Sequence, residues 1–144
     1  MRKPVRMLLR GAAAGGALAA MACCHAADAP QWMNAKEFKW GAAAEPKGAQ
    51  QAVLWGDAKS SDNGTMLRWA FNTKSTGLVR SQDVHFVVLA GTFTVEVAGD
   101  YREFGPGAAV TIPKGVKHTL GCEASGECKL LMHHPGAVEI SQIK

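Results

Sequence analysis

The chain has 144 residues, with 16 Lys and Arg against 12 Asp and Glu, and a formal net charge of +4. A length of this order suits one domain built around one hydrophobic core. Beyond its first ten residues the basic side chains form no cluster of the kind that a phosphate backbone needs. Nucleic acid is therefore excluded as a partner.

Residues 1–26 have the pattern of a secretory signal peptide. An apolar core rich in Ala, Gly, Leu and Met runs from Gly11 to Ala22 and is too short to span a bilayer. It is preceded by four basic residues, Arg2, Lys3, Arg6 and Arg10. Cleavage removes all four, which leaves as many basic residues as the 12 acidic ones. The exported chain is therefore expected to be formally neutral.

Cleavage is expected after Ala26 or after Ala22, because both sites present small residues. Acylation of Cys23 or Cys24 is the alternative, but the residues before them fit a lipoprotein signal poorly. No second apolar stretch follows, so we predict no membrane span. The protein is predicted to be periplasmic or secreted.

Residues 27–50 form a predicted N-terminal arm. Trp32, Phe38 and Trp40 lie among Ala, Lys, Pro and Gly, and one helical turn is expected around Ala35–Phe38. These aromatic side chains are expected to dock on the main body of the protein.

From residue 51 onwards the pattern is that of strands and turns. Asn63-Gly64 is a strong turn signal, since both positions tolerate a positive φ, and Asn72–Gly77 is polar and loop-like. Many short strands without a helical period predict an all-β sandwich or small barrel. The predicted strands are 52–55, 65–71, 84–89, 92–97, 101–104, 110–112, 119–122, 128–132 and 137–140.

The most informative stretch is Gly107–His118. Its apolar, β-branched run Val110–Ile112 predicts a buried strand. Pro113–Gly115 predicts a tight turn, because proline fixes one φ and glycine accepts a positive one. The spacing Gly-x5-Pro-x-Gly-x2-His resembles the second signature of the cupin superfamily, and Val88–Phe93 resembles the segment that closes the first.

The resemblance to cupins covers residues 51–144 and implies a double-stranded β-helix, the jelly-roll barrel, with a pocket at one mouth. In typical members a His-x-His pair, a Glu or Gln and the second-signature His surround a divalent metal. Counting back from Gly91, the Glu position falls on Val84. The two His positions fall on Leu78 and Arg80, or on Arg80 and Gln82.

Only His118 therefore remains of the metal ligands that the resemblance implies. One imidazole does not hold Zn²⁺ or Fe²⁺, and Arg80 adds a fixed positive charge that opposes cation binding. We predict a metal-free cupin. A site of His118, His133 and Cys122 is the metal-binding alternative, while His85 and His134 are expected near the surface.

Two cysteines, Cys122 and Cys128, remain after cleavage. A turn at residues 124–126 would set them opposite each other across a hairpin, at a separation that suits a disulfide. Glu123 and Glu127 would then lie side by side at its tip. Export to an oxidising compartment favours the bond.

The favoured function is binding of a small polar or anionic ligand in the barrel pocket. No nucleophile set of Ser/His/Asp or Cys/His type is found, so binding is favoured over catalysis. The alternatives are a metal-dependent enzyme of dioxygenase or isomerase type, or a homodimeric interaction module that uses the arm (31–40) and a sheet edge. The predicted ligand-binding residues are the charged Arg80 and Arg68, the hydrogen-bonding Gln82 and His118, and the apolar Trp69 and Phe86.

Overall fold

The computed structural model describes residues 30–57, 59, 62–123 and 126–144. The predicted signal peptide, with its cleavage and acylation sites, lies outside the described residues. Among the residues described, no helix is long and apolar enough to cross a bilayer.

Nearly all regular structure in this part of the chain is β-strand, which confirms the predicted all-β class. One short 3₁₀ helix, Ala35–Glu37, lies in the arm. The strands are β1 (Gly41–Ala42), β2 (Gln50–Gly56), β3 (Asn63–Trp69), β4 (Thr73–Arg80), β5 (Val84–Ala90), β6 (Phe93–Val97), β7 (Asp100–Phe104), β8 (Ala109–Ile112), β9 (His118–Cys122), β10 (Cys128–His134) and β11 (Ile140–Gln142).

The strands form two antiparallel sheets that enclose one core, as in a jelly roll. The six-stranded sheet has the order β1-β2-β3-β10-β5-β8, and the five-stranded sheet has the order β11-β4-β9-β6-β7. Successive strand residues alternate between core and surface. The largest apolar side chains that are fully buried are Trp69, Phe86, Phe93, Leu78, Leu120 and Leu130.

Residues 72–77 were expected to form a loop, and this prediction is wrong, because Thr73–Arg80 is strand β4. Its polar appearance has two causes. Lys74 and Thr76 point to solvent, and the pairing with β9 shifts between Ser75 and Leu78. Because of the polar outer face and this irregularity, the alternation of buried and exposed residues cannot be recognised in the sequence.

A disulfide joins Cys122 and Cys128, with their Cα atoms 5.9 Å apart. The expected hairpin is wrong, because β9 and β10 belong to different sheets. The bond therefore connects the two sheets, and both cysteines are buried. Glu123 and Glu127 do not pair up either: Glu123 accepts a hydrogen bond from Tyr101, whereas Glu127 forms an ion pair with Arg68.

Gly91, in the turn between β5 and β6, is a position where the fold requires glycine. Its φ is +79°, and a Cβ there would lie 2.7 Å from the carbonyl oxygen of Glu127 and 2.9 Å from Cα of Cys128. Gly99 has a similar φ of +83° but has open space around it.

We predict that Gly91→Ala lowers the free energy of unfolding clearly more than Gly99→Ala does. Both changes carry the cost of a positive φ, about 1–2 kcal/mol, but only the first also forces backbone atoms apart. Denaturant unfolding of the two variants measures the difference. Equal losses would show that the backbone at Gly91 yields without cost.

Candidate functional site

Polar side chains gather inside one end of the barrel, called the mouth here. Arg80 ends β4, His118 begins β9, Asn63 begins β3 and His134 ends β10, and all four are buried. Leu78 pairs directly with His118. Arg80 is therefore the next inward-facing residue of β4, diagonal to His118.

The guanidinium of Arg80 is buried without a close counter-ion. Arg80 is only 5 % exposed, and its Nε has no hydrogen-bond partner. Among the described residues, no carboxylate oxygen lies within 4.0 Å of the guanidinium nitrogens of Arg80, the limit for an ion pair. Burial lowers the pKa of Arg80 to about 10, although the charge of Glu45 opposes this shift. Arg80 is therefore still a cation at neutral pH.

Phe86 and Glu45 lie beside this cation. The Arg80 guanidinium carbon is 6.0 Å from the centre of the Phe86 ring, which is a cation–π distance. Glu45 comes from the arm and accepts a hydrogen bond from Ser75 Oγ at 2.7 Å. Glu45, Leu67, Arg80 and Ile140 are among the residues that line a small cavity of about 30 Å³, room for roughly one water molecule. The arm and β11 thus both contribute to the wall of the mouth beside Arg80.

His118 presents an unpaired nitrogen to the interior. Its Nδ1 is 2.8 Å from the carbonyl oxygen of Val116, and this contact requires a hydrogen on Nδ1. In the neutral ring Nε2 then carries a lone pair, and Nε2 is buried without a partner. Burial lowers the pKa of His118 and the Arg80 charge adds to this, while the contact with Val116 opposes it.

His134 was expected near the surface, but this prediction is wrong, because it is 4 % exposed. On β10 it has the same parity as the buried Cys128 and Leu130, so it points inwards. Its Nδ1 lies 2.6 Å from the carbonyl oxygen of Gly136 and 3.2 Å from the Asn63 amide. Burial lowers the pKa of His134, and the Gly136 contact opposes the shift.

His133 and His85 instead share the outer face of the six-stranded sheet. They are cross-strand partners, and their rings stack with centroids 5.6 Å apart. His133 Nε2 lies 2.9 Å from Asp62 Oδ1, and His85 Nδ1 lies 3.0 Å from Thr111 Oγ1.

The alternative metal site of His118, His133 and Cys122 is therefore not assembled, because His133 points outwards and Cys122 is in the disulfide. Among the described residues no group of three or more His, Cys, Asp or Glu could hold a metal ion. The residues at the mouth thus do not fit the metal site that the cupin resemblance implies.

The remaining predicted site residues lie in different places. Arg68 is on the outer face of the six-stranded sheet, where it pairs with Glu127 at 3.1 Å and stacks over Trp40 at 5.0 Å. Trp69 packs against Phe93 in the core at the end of β3 that pairs with Cys128, away from the mouth. Gln82 is half-buried in the bend between β4 and β5. The structure thus brings together Arg80, His118 and Phe86, but not Arg68 or Trp69.

Sequence reasoning missed Glu45, Ser75 and His134. The alternation along β10 could have identified His134, because it lies an even number of residues from the buried Cys128 and so points to the same side. Glu45 offers no such signal, since its position depends on the path of the arm.

Two grooves approach the mouth on either side of the turn before His118. One has a volume of about 500 Å³ and is lined by Arg80, Lys114, Glu139 and Ile140, among others. The other, of about 490 Å³, includes His118, Lys117 and Glu96. The groove at Arg80 therefore has two cationic side chains and one anionic side chain, and this excess of positive charge suits an anionic ligand.

Comparison with known proteins relates part of this chain to a family. Residues 80–134 match the family model described as "Cupin domain". The stretch from the end of β4 to the end of β10 is therefore similar to a cupin domain. No curated protein matches its sequence.

Solved cupin structures resemble the chain in fold. The polyketide cyclase RemF from Streptomyces resistomycificus has a TM-score of 0.70 at 20% identity, covering 81% of this chain and 87% of that one. The cupin-2 domain protein Rru_A2000 from Rhodospirillum rubrum has a TM-score of 0.63 at 16% identity, covering 80% of each chain. Salicylate 1,2-dioxygenase from Pseudoaminobacter salicylatoxidans has a TM-score of 0.56 at 15% identity, covering 67% of this chain and 30% of that one. At these identities the likeness shows the fold alone.

The two buried histidines lead to a prediction of pH-dependent stability. The pKa values of His118 and His134 are lowered in the folded state, so the unfolded chain binds protons more readily around its histidine pKa of about 6.5. The free energy of unfolding should therefore fall between pH 7 and pH 5, by at most about 1.4 kcal/mol per pH unit for each histidine.

Denaturant unfolding at several pH values measures this slope. The double variant His118→Asn/His134→Asn has no group to protonate at these positions and should have a shallower slope. Equal slopes in the two proteins would contradict the prediction.

Proposed function

We propose that this protein is an exported, metal-free cupin that binds a small polar or anionic ligand at the barrel mouth. The observation that carries the proposal is a nearly fully buried guanidinium with no carboxylate within ion-pair distance among the described residues. A buried charge is costly unless it is paired. A planar guanidinium is suited to carboxylate or phosphate groups, which it binds through two parallel hydrogen bonds.

The surroundings of Arg80 support a ligand of modest size. His118 adds an unpaired acceptor, Phe86 an apolar wall, and the groove at Lys114 a route of entry with a positive balance of charge. Gln82, in the bend after β4, is the further hydrogen-bonding residue in this proposal. Export is supported by the pattern of residues 1–26 and by the disulfide.

We predict that Arg80→Met abolishes ligand-induced stabilisation while leaving the unliganded protein at least as stable as the wild type. Replacing an uncompensated buried charge by an apolar side chain of similar length is commonly neutral or stabilising, by up to about 4 kcal/mol. Thermal unfolding with a panel of small carboxylates and phosphates measures both effects. In the wild type, a ligand at about 100 times its Kd should add about 2.7 kcal/mol.

Arg102→Met is the matched control, because this exposed arginine pairs with Asp100 on the surface and should keep the ligand response. If Arg80→Met instead destabilised the unliganded protein strongly, Arg80 would be a structural residue. A stoichiometric transition metal in the purified protein that is lost in His118→Ala would favour the metal-dependent enzyme instead.

A homodimer is the second candidate, and an exposed apolar surface favours it. Trp55, Val87 and Leu89 are 43%, 36% and 45% exposed. Val87 and Leu89 alternate with the buried residues of β5, so they lie on the outer face of the six-stranded sheet. Trp55 stacks on His133 of the same face. Face-to-face packing of two copies would cover these side chains.

Light scattering coupled to size-exclusion chromatography should then give twice the mass of one chain. Val87→Lys/Leu89→Lys should halve it, whereas Tyr101→Ser, on the edge strand of the other sheet, should not. A wild type that remains monomeric at high concentration would contradict the dimer.

A further inference from the structure

Two buried atoms at the mouth specify the chemistry of the proposed ligand further. Nε of Arg80 can only donate a hydrogen bond, and Nε2 of neutral His118 can only accept one, given the hydrogen on Nδ1. Both atoms are buried and unpartnered among the described residues. Unpaired buried groups of this kind are rare in folded proteins and call for a ligand, an ion or a water molecule.

The two atoms belong to neighbouring positions on the inner surface of the five-stranded sheet. Leu78 is the direct partner of His118, and Arg80 is the next inward residue, so it lies on the diagonal, where Cβ atoms are about 7–8 Å apart. The side chain of Arg80 is long enough to shorten this gap. A single small molecule that reached both side chains would satisfy both atoms.

The two requirements differ in charge as well as in hydrogen bonding. The Arg80 side needs an anionic acceptor, because a water molecule or a neutral polyol would leave the guanidinium without a counter-charge. Nε2 of His118 needs a hydrogen-bond donor, such as a hydroxyl. A carboxylate oxygen cannot fill this role, because it has only lone pairs and would be repelled by the lone pair of Nε2. A simple carboxylate thus satisfies one residue and leaves the other unpaired.

We propose that the ligand is a small hydroxy carboxylate, whose carboxylate accepts hydrogen bonds from Arg80 and whose hydroxyl donates to Nε2 of His118. This inference rests on the proposed function and adds the chemical class of the ligand. The small cavity and the larger groove both have Arg80 and Ile140 in their walls. The carboxylate of the ligand is therefore expected beside Arg80, with the rest of the molecule in the groove.

Glu45 takes part in this arrangement as a competing carboxylate. Its negative charge opposes the lowering of the Arg80 pKa, and Glu45 reaches the small cavity from the arm. A bound carboxylate meets repulsion from Glu45. Glu45→Gln keeps the size of the side chain and an acceptor for the Ser75 hydroxyl, and it should tighten the binding of every carboxylate.

The experiment compares matched acids by calorimetry on the exported chain: lactate with propionate, and 3-hydroxybutyrate with butyrate. Two substitutions separate the nitrogens of His118. Asparagine keeps a donor near Nδ1 for the Val116 carbonyl but lacks an acceptor at the position of Nε2. Glutamine places an amide oxygen near Nε2. Arg80→Met removes the cation, and Arg102→Met is the control for a surface arginine.

In the wild type at least one hydroxy acid should bind about tenfold more tightly than its partner without the hydroxyl, the effect of one good hydrogen bond. His118→Asn should erase this preference but retain the weaker affinity for the plain acid, and His118→Gln should keep the preference. Arg80→Met should abolish binding of both acids, and Glu45→Gln should strengthen both.

Equal binding of the two acids of both pairs, lost in Arg80→Met, would overturn the hydroxy-acid inference and leave the proposed anion site standing. If none of the four acids binds to the wild type or to Glu45→Gln, the inference falls. The carboxylate and phosphate panel then decides separately whether an anion site exists at all.

Discussion

The mouth of the barrel is arranged around a permanent cation, Arg80, which is buried without an ion-pair partner among the described residues. Arg80 is held there because β4 alternates and because its neighbour Leu78 is locked opposite His118. The backbone carbonyl of Arg80 also accepts a hydrogen bond from Gly115, which ties the end of β4 to the turn before β9. The strand that forms the core thus also forces the guanidinium inwards, and the rest of the mouth accommodates that charge.

The pairing of Arg80 with a neutral imidazole follows from the same constraint. A second positive charge beside a buried guanidinium is unfavourable, so His118 and His134 remain neutral and use their Nδ1 hydrogens on nearby backbone carbonyls. In a metal-binding cupin these inward positions would carry ligands for a cation. Here the mouth supplies its own fixed cation, and the ligand proposed for it is accordingly an anion that also donates a hydrogen bond.

The sequence predicted the fold well because its signals are local. The turn at Pro113–Gly115 and the β-branched run before it lie where expected, and the strand predicted at residues 84–89 corresponds to β5. Arg80 and His118 were identified as neighbours through the spacing of the two cupin signatures. The signals failed where the outcome depends on contacts between distant parts of the chain.

Three cases illustrate these failures. Cys122 and Cys128 are so close in sequence that a hairpin is the simplest connection, yet the intervening segment crosses from one sheet to the other. Arg68 was predicted to bind the ligand because of its charge. On β3, however, it alternates with the buried Leu67 and Trp69, so it lies on the outer face. Glu45 reaches the mouth only because the arm folds back along β2, where Ala42 pairs with Gln50, and no local pattern encodes that path.

The position of the disulfide has a mechanical consequence. It joins the sheets at the ends of β9 and β10 that lie farthest from the mouth, since His118 and His134 occupy the opposite ends of the same strands. The crosslink restrains the two sheets at this end, whereas no covalent bond restrains them at the mouth among the described residues. We therefore expect the two sheets to move apart least at the disulfide and most at the mouth, around Arg80.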